Sequence, residues 1–472
     1  MRSEFLAVFF GNPGGDPCED SCRLLLEAAR FADAEGFEAV WTPERHFAPF
    51  GGLYACPAIT SAAVITATQR IAVRAGSVTL PLHDAIRVAE EWAMLDRLSG
   101  GRVGVSFASG WHDRDFALAP DRYARRREIM AEQIREVRRL WRGESVVRCG
   151  GSGRETELRI FPRPLRGEIP VWVTAAGTEE TFRRAGEWGA GVLTHMLGQN
   201  WNRLPERIAV YRKARETAGL DPAAGNVTLM LHTWVGEERR ILRKRVEPVM
   251  RRYIEESFSL LGDAASAWEH GAYRHASRPP GDRAADPLRG LTPGERAQIV
   301  ECAFERYFED EGLFGSAEEA GEVVARARAA GVDEIACLID FGLPEEDVLE
   351  GLRGLAEFSR GQTAARWEPG VRRSARGQQH TAVIADDATW LVVAEAWLEV
   401  LGEEPQGREA HFFDCGGNSL QAVTCAALIA ERLGIEIPAT LVFEHPVAWT
   451  LAAEAAQRSR DAGEASCSFS RG

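Results

Sequence analysis

The sequence is short of lysine and has no surplus of positive charge. Its 472 residues include 56 basic ones, of which only Lys213 and Lys244 are lysines. Aspartate and glutamate number 70, so the formal net charge is −14. An acidic chain of this kind is a poor candidate for general binding to nucleic acid or to anionic membranes.

Paired cysteines and long apolar runs are also absent. The nine cysteines include no CxxC pair, and the spacing of Cys18 and Cys22 is not that of a zinc motif. No apolar run is long enough to span a membrane, and the first one is too short for a secretory signal. We therefore expect free thiols, no bound metal and a cytoplasmic location.

The first three quarters of the chain alternate between short β-rich runs and amphipathic helical stretches. The predicted strands cover residues 4–11, 39–42, 71–80, 103–108, 171–174, 191–194, 227–235 and 334–340. Eight strands alternating with helices predict an α/β fold, a (β/α)8 TIM-like barrel rather than a doubly wound sheet. No G-x-G-x-x-G follows a strand, so a built-in nicotinamide-binding half is not expected.

Two stretches interrupt this alternation, and a third ends it. Residues 146–161 predict an inserted hairpin, and the Gly- and Pro-rich residues 262–291 are either a lid or a disordered loop. Hydrophobic periodicity then stops, which divides the chain into a barrel, a linker, a small all-α helix bundle and a flexible tail. These four parts cover residues 1–358, 359–382, 383–457 and 458–472.

The most specific motif lies in the C-terminal part, where residues 411–420 read HFFDCGGNSL. Gly416 and Gly417 allow a tight turn, and a helix is expected to begin at Asn418 and Ser419. Taken alone, these two residues are typical helix caps. With its flanking helices and the VFEHP sequence at 442–446, however, the region resembles an acyl or peptidyl carrier protein.

That resemblance implies a covalent cofactor and several partners. Ser419 would be esterified with 4′-phosphopantetheine, whose thiol holds an acyl or aminoacyl group as a thioester. The partners implied are a phosphopantetheinyl transferase and the adenylation or other assembly-line enzymes that load the carrier. The start of a helix suits the charge of the phosphodiester.

Four motifs follow strands of the predicted barrel, at the end where barrel enzymes hold their reactive groups. They are TPERHF at 42–47, RAGSVTLP at 74–81, GVSFASGWH at 104–112 and WVTAAGTEET at 172–181. The first is either a reactive cluster or a surface Glu44–Arg45 ion pair with His46 packed beneath it. The second, RAGSVTLP, is either a strand bulge or a plain turn. The third, GVSFASGWH, either contacts a flat ligand or places Trp111 over the mouth of the barrel. The fourth, WVTAAGTEET, is a weak candidate for a helix start that binds phosphate.

Taken in order, these segments resemble the luciferase-like flavin monooxygenases, most closely the branch found in nonribosomal peptide and polyketide assembly lines. The resemblance covers about residues 3–358 and implies reduced FMN as cofactor. It places Arg45 and His46 at catalytic positions facing the flavin. It implies a strand bulge, often with a cis peptide, at Gly76-Ser77. The residues that it assigns to flavin binding are Gly76, Ser77, Ser109, Gly110, Ala176, Gly177 and Thr181.

One departure from the family concerns the loop after the third strand. Many relatives have His-Pro there, whereas this chain has His83-Asp84-Ala85. The departure predicts a looser loop and weakens any role for His83.

The combined resemblances predict a monooxygenase that uses reduced FMN and oxygen to hydroxylate a group tethered to its own carrier. A separate flavin reductase is implied, and a homodimer remains open. Two alternatives stay open as well. One is a deazaflavin- or flavin-dependent dehydrogenase or reductase on the same barrel, and the other is a catalytically idle barrel that docks the carrier.

The negative charge is concentrated in the carrier region. Residues 378–472 contain 5 arginines, no lysine and 14 acidic residues, a net charge of −9. Such a carrier is suited to docking on basic patches of partner enzymes, and the arginine-rich barrel is one candidate.

Overall fold

The computed structural model describes most of the chain. The described residues are 6–11, 21–48, 52–110, 112–176, 178–196, 199–268, 292–364 and 387–469, apart from 403, 406, 414, 416 and 418. The chain divides into two compact units. The first comprises residues 1–196, 205–260 and 307–366, and the second residues 197–204, 261–306 and 367–472.

The first unit is built on parallel strands that are buried on both faces. The strands of the chain are β1 (Leu6–Phe9), β2 (Ala39–Thr42), β3 (Ala72–Thr79), β4 (Val103–Ala108), β5 (Val146–Cys149), β6 (Glu155–Leu158), β7 (Val171–Ala175), β8 (Gly191–His195), β9 (Val227–Val235), β10 (Leu313–Gly315) and β11 (Glu334–Leu338). Strands rich in Val, Ala and Leu suit such a position, since helices cover the outer face of a parallel sheet.

Helices follow most of the strands. They are α1 (Ser21–Glu35), α2 (Pro57–Ala67), α3 (Ala85–Ser99), α4 (Arg126–Arg142), α5 (Glu179–Glu187), α6 (Arg203–Thr217), α7 (Arg239–Trp268), α8 (Pro293–Arg306), α9 (Ala317–Ala329), α10 (Glu345–Ala364), α11 (Asp387–Leu401), α12 (Ser419–Leu433), α13 (Leu441–Glu444) and α14 (Ala448–Phe469). Within the described residues, no helix is both long and apolar enough to cross a bilayer.

Eight parallel strands close into a ring, which confirms the predicted barrel. The order runs from β9 through β11, β1, β2, β3, β4 and β7 to β8, which pairs with β9 again. The hairpin of β5 and β6 is inserted between the fourth and fifth barrel strands, as its position in the sequence predicts. The strand β10, which pairs with the end of β9, was not expected because it has only three residues.

An ion pair and two tryptophans fill the barrel near the amino ends of its strands. The guanidinium of Arg74 lies 5.1 Å from the ring centroid of Trp41 and 4.7 Å from that of Trp172. Its Nη1 is 2.7 Å from Oε2 of Glu334, and both side chains are nearly inaccessible to solvent. Because both charges are desolvated, removal of Glu334 would leave the Arg74 guanidinium only Glu38, whose Oε1 lies 3.1 Å from Nη2, as an ionic partner.

The second unit contains the C-terminal bundle, which consists of α11 to α14. Its core is apolar, with the ring of Trp397 packed edge-on against Phe412 at 5.0 Å. The helix α12 begins at Ser419, so this residue is at a helix start, as the motif predicts.

Three predicted segment limits differ from the structure or lie beyond it. The helix α10 continues to Ala364, six residues into the predicted linker, and residues 365–386 lie outside the described residues. The helix α14 runs through residue 458 to Phe469 where a flexible tail was expected, because its alanine-rich sequence favours helix. Of the predicted lid or loop at 262–291, residues 262–268 extend α7 and the rest lie outside the described residues.

Candidate active site

A buried carboxylate, Glu44, organises the polar residues that follow β2 and β3. Its side chain has no exposed surface. Oε1 accepts hydrogen bonds from Nε2 of His46 at 2.9 Å and from Nε2 of His83 at 2.6 Å. Oε2 accepts the backbone N–H of Thr79 at 2.6 Å. We call these four residues the Glu44 network.

The hydrogen bonds keep Glu44 ionised. Burial alone would raise the pKa of this carboxyl, but the bonds from His46, His83 and the Thr79 amide outweigh it and lower the pKa to about 2. For His83, burial acts to lower the pKa, and the bond to Glu44 overcomes it, so the pKa is raised. An ionised carboxylate can only accept. Each Nε2 must therefore carry the proton that it donates to Glu44.

Two expectations about this region are wrong. Glu44 does not form a surface pair with Arg45, because it is buried and bonded to two imidazoles. The loop after β3 is not loosened by the loss of proline. The carbonyl of His83 accepts from Arg122 at 2.7 Å and from Gln133 at 2.8 Å. The carboxylate of Asp84 caps α3 by accepting the N–H of Ile86 at 2.8 Å.

The charge of Arg45 acts on groups beside the network. Burial raises the pKa of the Tyr253 hydroxyl to about 12, and Arg45 partly opposes this shift. Burial also raises the pKa of Asp115, while His112, His46 and Arg45 act to lower it. Arg45 and His46 therefore both act on the carboxyl of Asp115.

The third strand carries the predicted bulge. The Gly76–Ser77 peptide is cis, and the pairing register between β3 and β4 shifts between Gly76 and Val78. Gly76 has no room for a side chain, since a Cβ there would lie 2.8 Å from the ring of Phe9. Ser77 is hydrogen-bonded to the hydroxyl of Thr174.

The hydroxyl of Thr174 also connects β7 with β4. Its Oγ1 lies 2.8 Å from Oγ of Ser106. Ser77, Ser106 and Thr174 therefore form a chain of hydroxyl groups across three neighbouring strands, close to their carboxyl ends. Of these three residues, only Ser77 was predicted as a site residue from the sequence.

The loop after β4 passes close to the end of β3. Gly110 has a φ of 78°, and a Cβ there would lie 2.7 Å from the ring of Phe116 and 2.8 Å from Thr79. A side chain is therefore excluded at this position on both conformational and steric grounds. Ser109 precedes it and is partly buried, whereas Trp111 lies outside the described residues.

The predicted phosphate-binding residues follow β7. Ala176 is exposed, Gly177 lies outside the described residues, and Thr181 is in the first turn of α5. The hydroxyls of Thr178 and Thr181 are 2.7 Å apart. Among the described residues, no hydrogen bond joins this group to the Glu44 network.

Two histidines, His195 on β8 and His232 on β9, were not among the predicted site residues. His232 packs edge-on against Tyr253 at 4.8 Å, and burial followed by the nearby His195 lowers its pKa to about 3. Its imidazole is therefore neutral. Met230 lies with the residues that fill the barrel, and side chains alternate along a strand. His232 consequently faces the barrel interior. The alternation of side chains along β9 is the sequence signal that could have identified it.

Comparisons with known proteins assign both parts of the chain. The sequence pattern of the family described as luciferase-like monooxygenase matches residues 1–334, and that of the phosphopantetheine attachment site matches residues 392–454. The first match covers well over half of the chain.

Curated relatives differ in the reactions that their names describe. The chain is 29% identical over 245 residues to 4-hydroxyprotoasukamycin monooxygenase from Streptomyces nodosus subsp. asukaensis, which is 50% of this chain and 65% of that protein. It is 28% identical over 226 residues to the F420-dependent hydroxymycolic acid dehydrogenase of Mycobacterium tuberculosis, 46% and 61% of the two chains. The first relatives, from mycobacteria, are 31% identical over 33% of this chain and are covered for 62% of their own length.

Solved structures support the fold. Monooxygenase RslO1 from Streptomyces bottropensis aligns with a TM-score of 0.59 at 22% identity, over 77% of this chain and all of that one. The FMN complex of 3,6-diketocamphane monooxygenase from Pseudomonas putida gives a TM-score of 0.57 at 15% identity, over 75% and 96% of the two chains. The protein thus belongs to the luciferase-like monooxygenase family and carries a phosphopantetheine attachment domain after its barrel.

Proposed function

We propose that the protein is a flavin-dependent monooxygenase that hydroxylates an aminoacyl or acyl group held by its own carrier. The observation that carries the proposal is the presence, in one chain, of a luciferase-like barrel and a phosphopantetheine attachment domain. A thioester on a carrier is confined near the enzyme by its linker, which raises its effective concentration. The role of the chain would lie in natural-product assembly.

The residues at the carboxyl ends of the strands fit a flavin mononucleotide. The hydroxyls of Ser77, Ser106 and Thr174 supply donors and acceptors for a heterocyclic ring. Gly110, packed against Phe116 and Thr79, holds the loop after β4 close to the end of β3. The start of α5, with the hydroxyls of Thr178 and Thr181, suits a phosphate group.

Reduced FMN would supply two electrons and two protons, so that one atom of oxygen enters a C–H bond of the substrate and the other leaves as water. The protein would have to position the tethered group and keep bulk water out. A separate flavin reductase would provide the reduced cofactor. A phosphopantetheinyl transferase and a loading enzyme would prepare the carrier, in the cytoplasm.

His46 is assigned the proton-handling role. Its Nε2 donates to the ionised Glu44, which fixes the ring, and Nδ1 would exchange a proton with the bound reactants. Arg45 would stabilise negative charge that develops on oxygen or on a substrate carboxyl. His83 shares the same carboxylate oxygen and would act as a positioning residue.

A second candidate function is hydride transfer with the deazaflavin F420. It is favoured by a relative named as an F420-dependent dehydrogenase and by the fold of an F420-dependent secondary alcohol dehydrogenase, which aligns with a TM-score of 0.56. Such an enzyme would remove or add two hydrogen atoms and would need no oxygen.

Intact-protein mass spectrometry separates these candidates. The full chain is loaded at Ser419 by a transferase from a panel of aminoacyl- and acyl-coenzyme A thioesters, then supplied with either reduced FMN and air or F420 without oxygen. The proposal expects a mass gain of one oxygen atom with FMN. A two-hydrogen change with F420 would establish the alternative, and no binding of either cofactor would indicate an idle barrel.

A further inference from the structure

The second compact unit contains more than the carrier. It also includes α8 and residues 199–204, although both lie inside the range matched by the luciferase-like family. Within that unit, these two segments of the family region contact the carrier directly.

One face of α8 carries the contact residues. Four of its residues recur at intervals of three and four: Glu295, Gln298, Cys302 and Arg306. Side chains at these intervals project from the same side of a helix. The helix also has a buried apolar side, which includes Ile299 and Phe304, so the face is held in a fixed orientation.

The first half of this face meets α13 of the carrier. Oε2 of Glu295 caps its own helix by accepting the N–H of Thr292 at 2.9 Å, and Oε1 accepts the N–H of Ala439 at 3.3 Å. Nε2 of Gln298 donates to Oε1 of Glu444 at 3.0 Å. Because Glu444 is an exposed carboxylate that Thr440 also contacts, the bond from Gln298 is charge-assisted.

The middle of the face is close to the same carboxylate. Burial raises the pKa of the Cys302 thiol, and the charge of Glu444 raises it further. Cys302 follows Gln298 by four residues, one helical turn. Two successive turns of α8 therefore face Glu444.

The end of the face meets the loop that precedes Ser419. The guanidinium of Arg306 lies 5.7 Å from the ring centroid of Phe413, a cation–π distance. The side-chain amide of Asn200 donates to the backbone carbonyl of Phe413. The Phe413 ring also lies 5.5 Å from that of Phe443 in α13, so α8 contacts two connected parts of the carrier.

We propose that this face of α8, together with Asn200, is a built-in recognition surface for the chain's own carrier. It recognises a carboxylate at the end of α13 and an aromatic ring in the loop before Ser419. The inference rests on the proposed function and deepens it by naming the partner that delivers the substrate. Carriers that lack this carboxylate and ring would be bound less well.

Hydrogen exchange of the full-length, unloaded chain tests the surface without any turnover. Gln298→Glu places a second carboxylate against Glu444, and we expect amide exchange in both residues 293–306 and residues 439–444 to become about fivefold faster, the loss of one hydrogen bond. Adding Glu444→Gln to that variant removes the repulsion and restores a bond of opposite polarity. Exchange should then return to the original rate in both segments.

The matched control is Ala297→Glu, which adds the same charge at an exposed position on the same helix. Unchanged exchange in Gln298→Glu, or an equal increase in Ala297→Glu, would overturn the inference. So would a failure of Glu444→Gln to reverse the effect. The exchange experiment contains no flavin and no substrate, so its outcome does not depend on turnover. If both segments respond as expected but the chain never oxidises its loaded group, only the proposed function is refuted.

Discussion

The barrel and the carrier hold their functional residues in opposite ways. In the barrel, Glu44 is a buried anion that joins residues from two different strands. In the carrier, Ser419 is the first residue of a helix of the bundle, whose core is apolar. The carrier region, residues 378–472, has a net charge of −9. A reactive site assembled by long-range hydrogen bonds and an attachment site defined by a local motif should therefore respond differently to single substitutions.

The largest expected effect belongs to the carrier. Ser419→Ala removes the hydroxyl that would carry 4′-phosphopantetheine, so we expect no covalent adduct and complete loss of oxidation of a tethered group. Oxygen consumption with reduced FMN should persist, because the barrel is unchanged. Intact-protein mass spectrometry after treatment with transferase and coenzyme A measures the adduct, with Ser459→Ala as the control. An adduct on the Ser419→Ala chain would contradict the assignment.

Glu44→Gln should have the largest effect in the barrel. The amide cannot accept from both imidazoles as an anion does, so we expect turnover to fall about 100-fold and unfolding of the barrel to become easier by about 3 kcal/mol. Phosphopantetheinylation of Ser419 should be unchanged, which sharpens the contrast between the two regions. Coupled oxygenation assays and urea denaturation provide the measurements.

The control for this substitution is Glu90→Gln on α3. Its carboxylate is 40% exposed and pairs with Arg87, and such surface pairs contribute under about 1 kcal/mol. If the Glu44→Gln and Glu90→Gln proteins were equally active and stable, the Glu44 network would have no role.

Smaller losses are expected for the two residues that follow Glu44 in the sequence. His46→Ala should lower turnover about 10- to 100-fold and Arg45→Ala about tenfold, with more of the oxygen released as peroxide, since proton transfer and charge stabilisation are lost. His46→Gln keeps a hydrogen-bonding group and should retain more activity than His46→Ala. The ratio of product to oxygen consumed is the measurement, and full coupling in both alanine variants would contradict the roles assigned.

The stability conferred by the network should depend on pH in a defined window. The pKa of Glu44 is about 2, below its ordinary value of 4.5, so its contribution is complete above pH 4.5 and is lost as the pH falls towards 2. The difference corresponds to about 3 kcal/mol. The pKa of His83 is raised above 6.5, so its contribution is complete below pH 6.5 and is lost as the pH rises through the raised value.

The advantage of the unaltered protein over Glu44→Gln should therefore be greatest between pH 4.5 and 6.5. Pulsed hydrogen exchange in urea follows the unfolding of residues 39–47 separately from that of the carrier. A difference between the two proteins that stays constant from pH 2 to 8 would show that Glu44 is not held ionised by its partners.

Local patterns predicted much of the architecture. The alternation of strands and helices predicted the eight-stranded ring, because the pattern that indicates each element lies within a few neighbouring residues. It missed β10, which has three residues, and it ended α14 too early because polar residues within an alanine-rich helix looked like a tail. The carrier was recognised from HFFDCGGNSL since its function depends on a local turn and helix start.

The barrel site was only partly predictable. Arg45 and His46 were selected because they follow a strand, but whether Glu44 belongs to a reactive cluster or to a surface pair with Arg45 was left open. Its partners Thr79 and His83 are 35 and 39 residues away, and no local pattern reports such a contact. The position of His232 could have been predicted from strand alternation alone, since it shares the inward face of β9 with Met230.

The central claim is that the barrel oxidises a group held by the carrier of the same chain. In the most direct test, the loaded full-length chain is supplied with reduced FMN and isotopically heavy oxygen gas. The mass of the group released from Ser419 is then measured by mass spectrometry. We predict one heavy oxygen atom in that group, and none when heavy water replaces the heavy gas. A released group without heavy oxygen, while free flavin is consumed and peroxide accumulates, would contradict it.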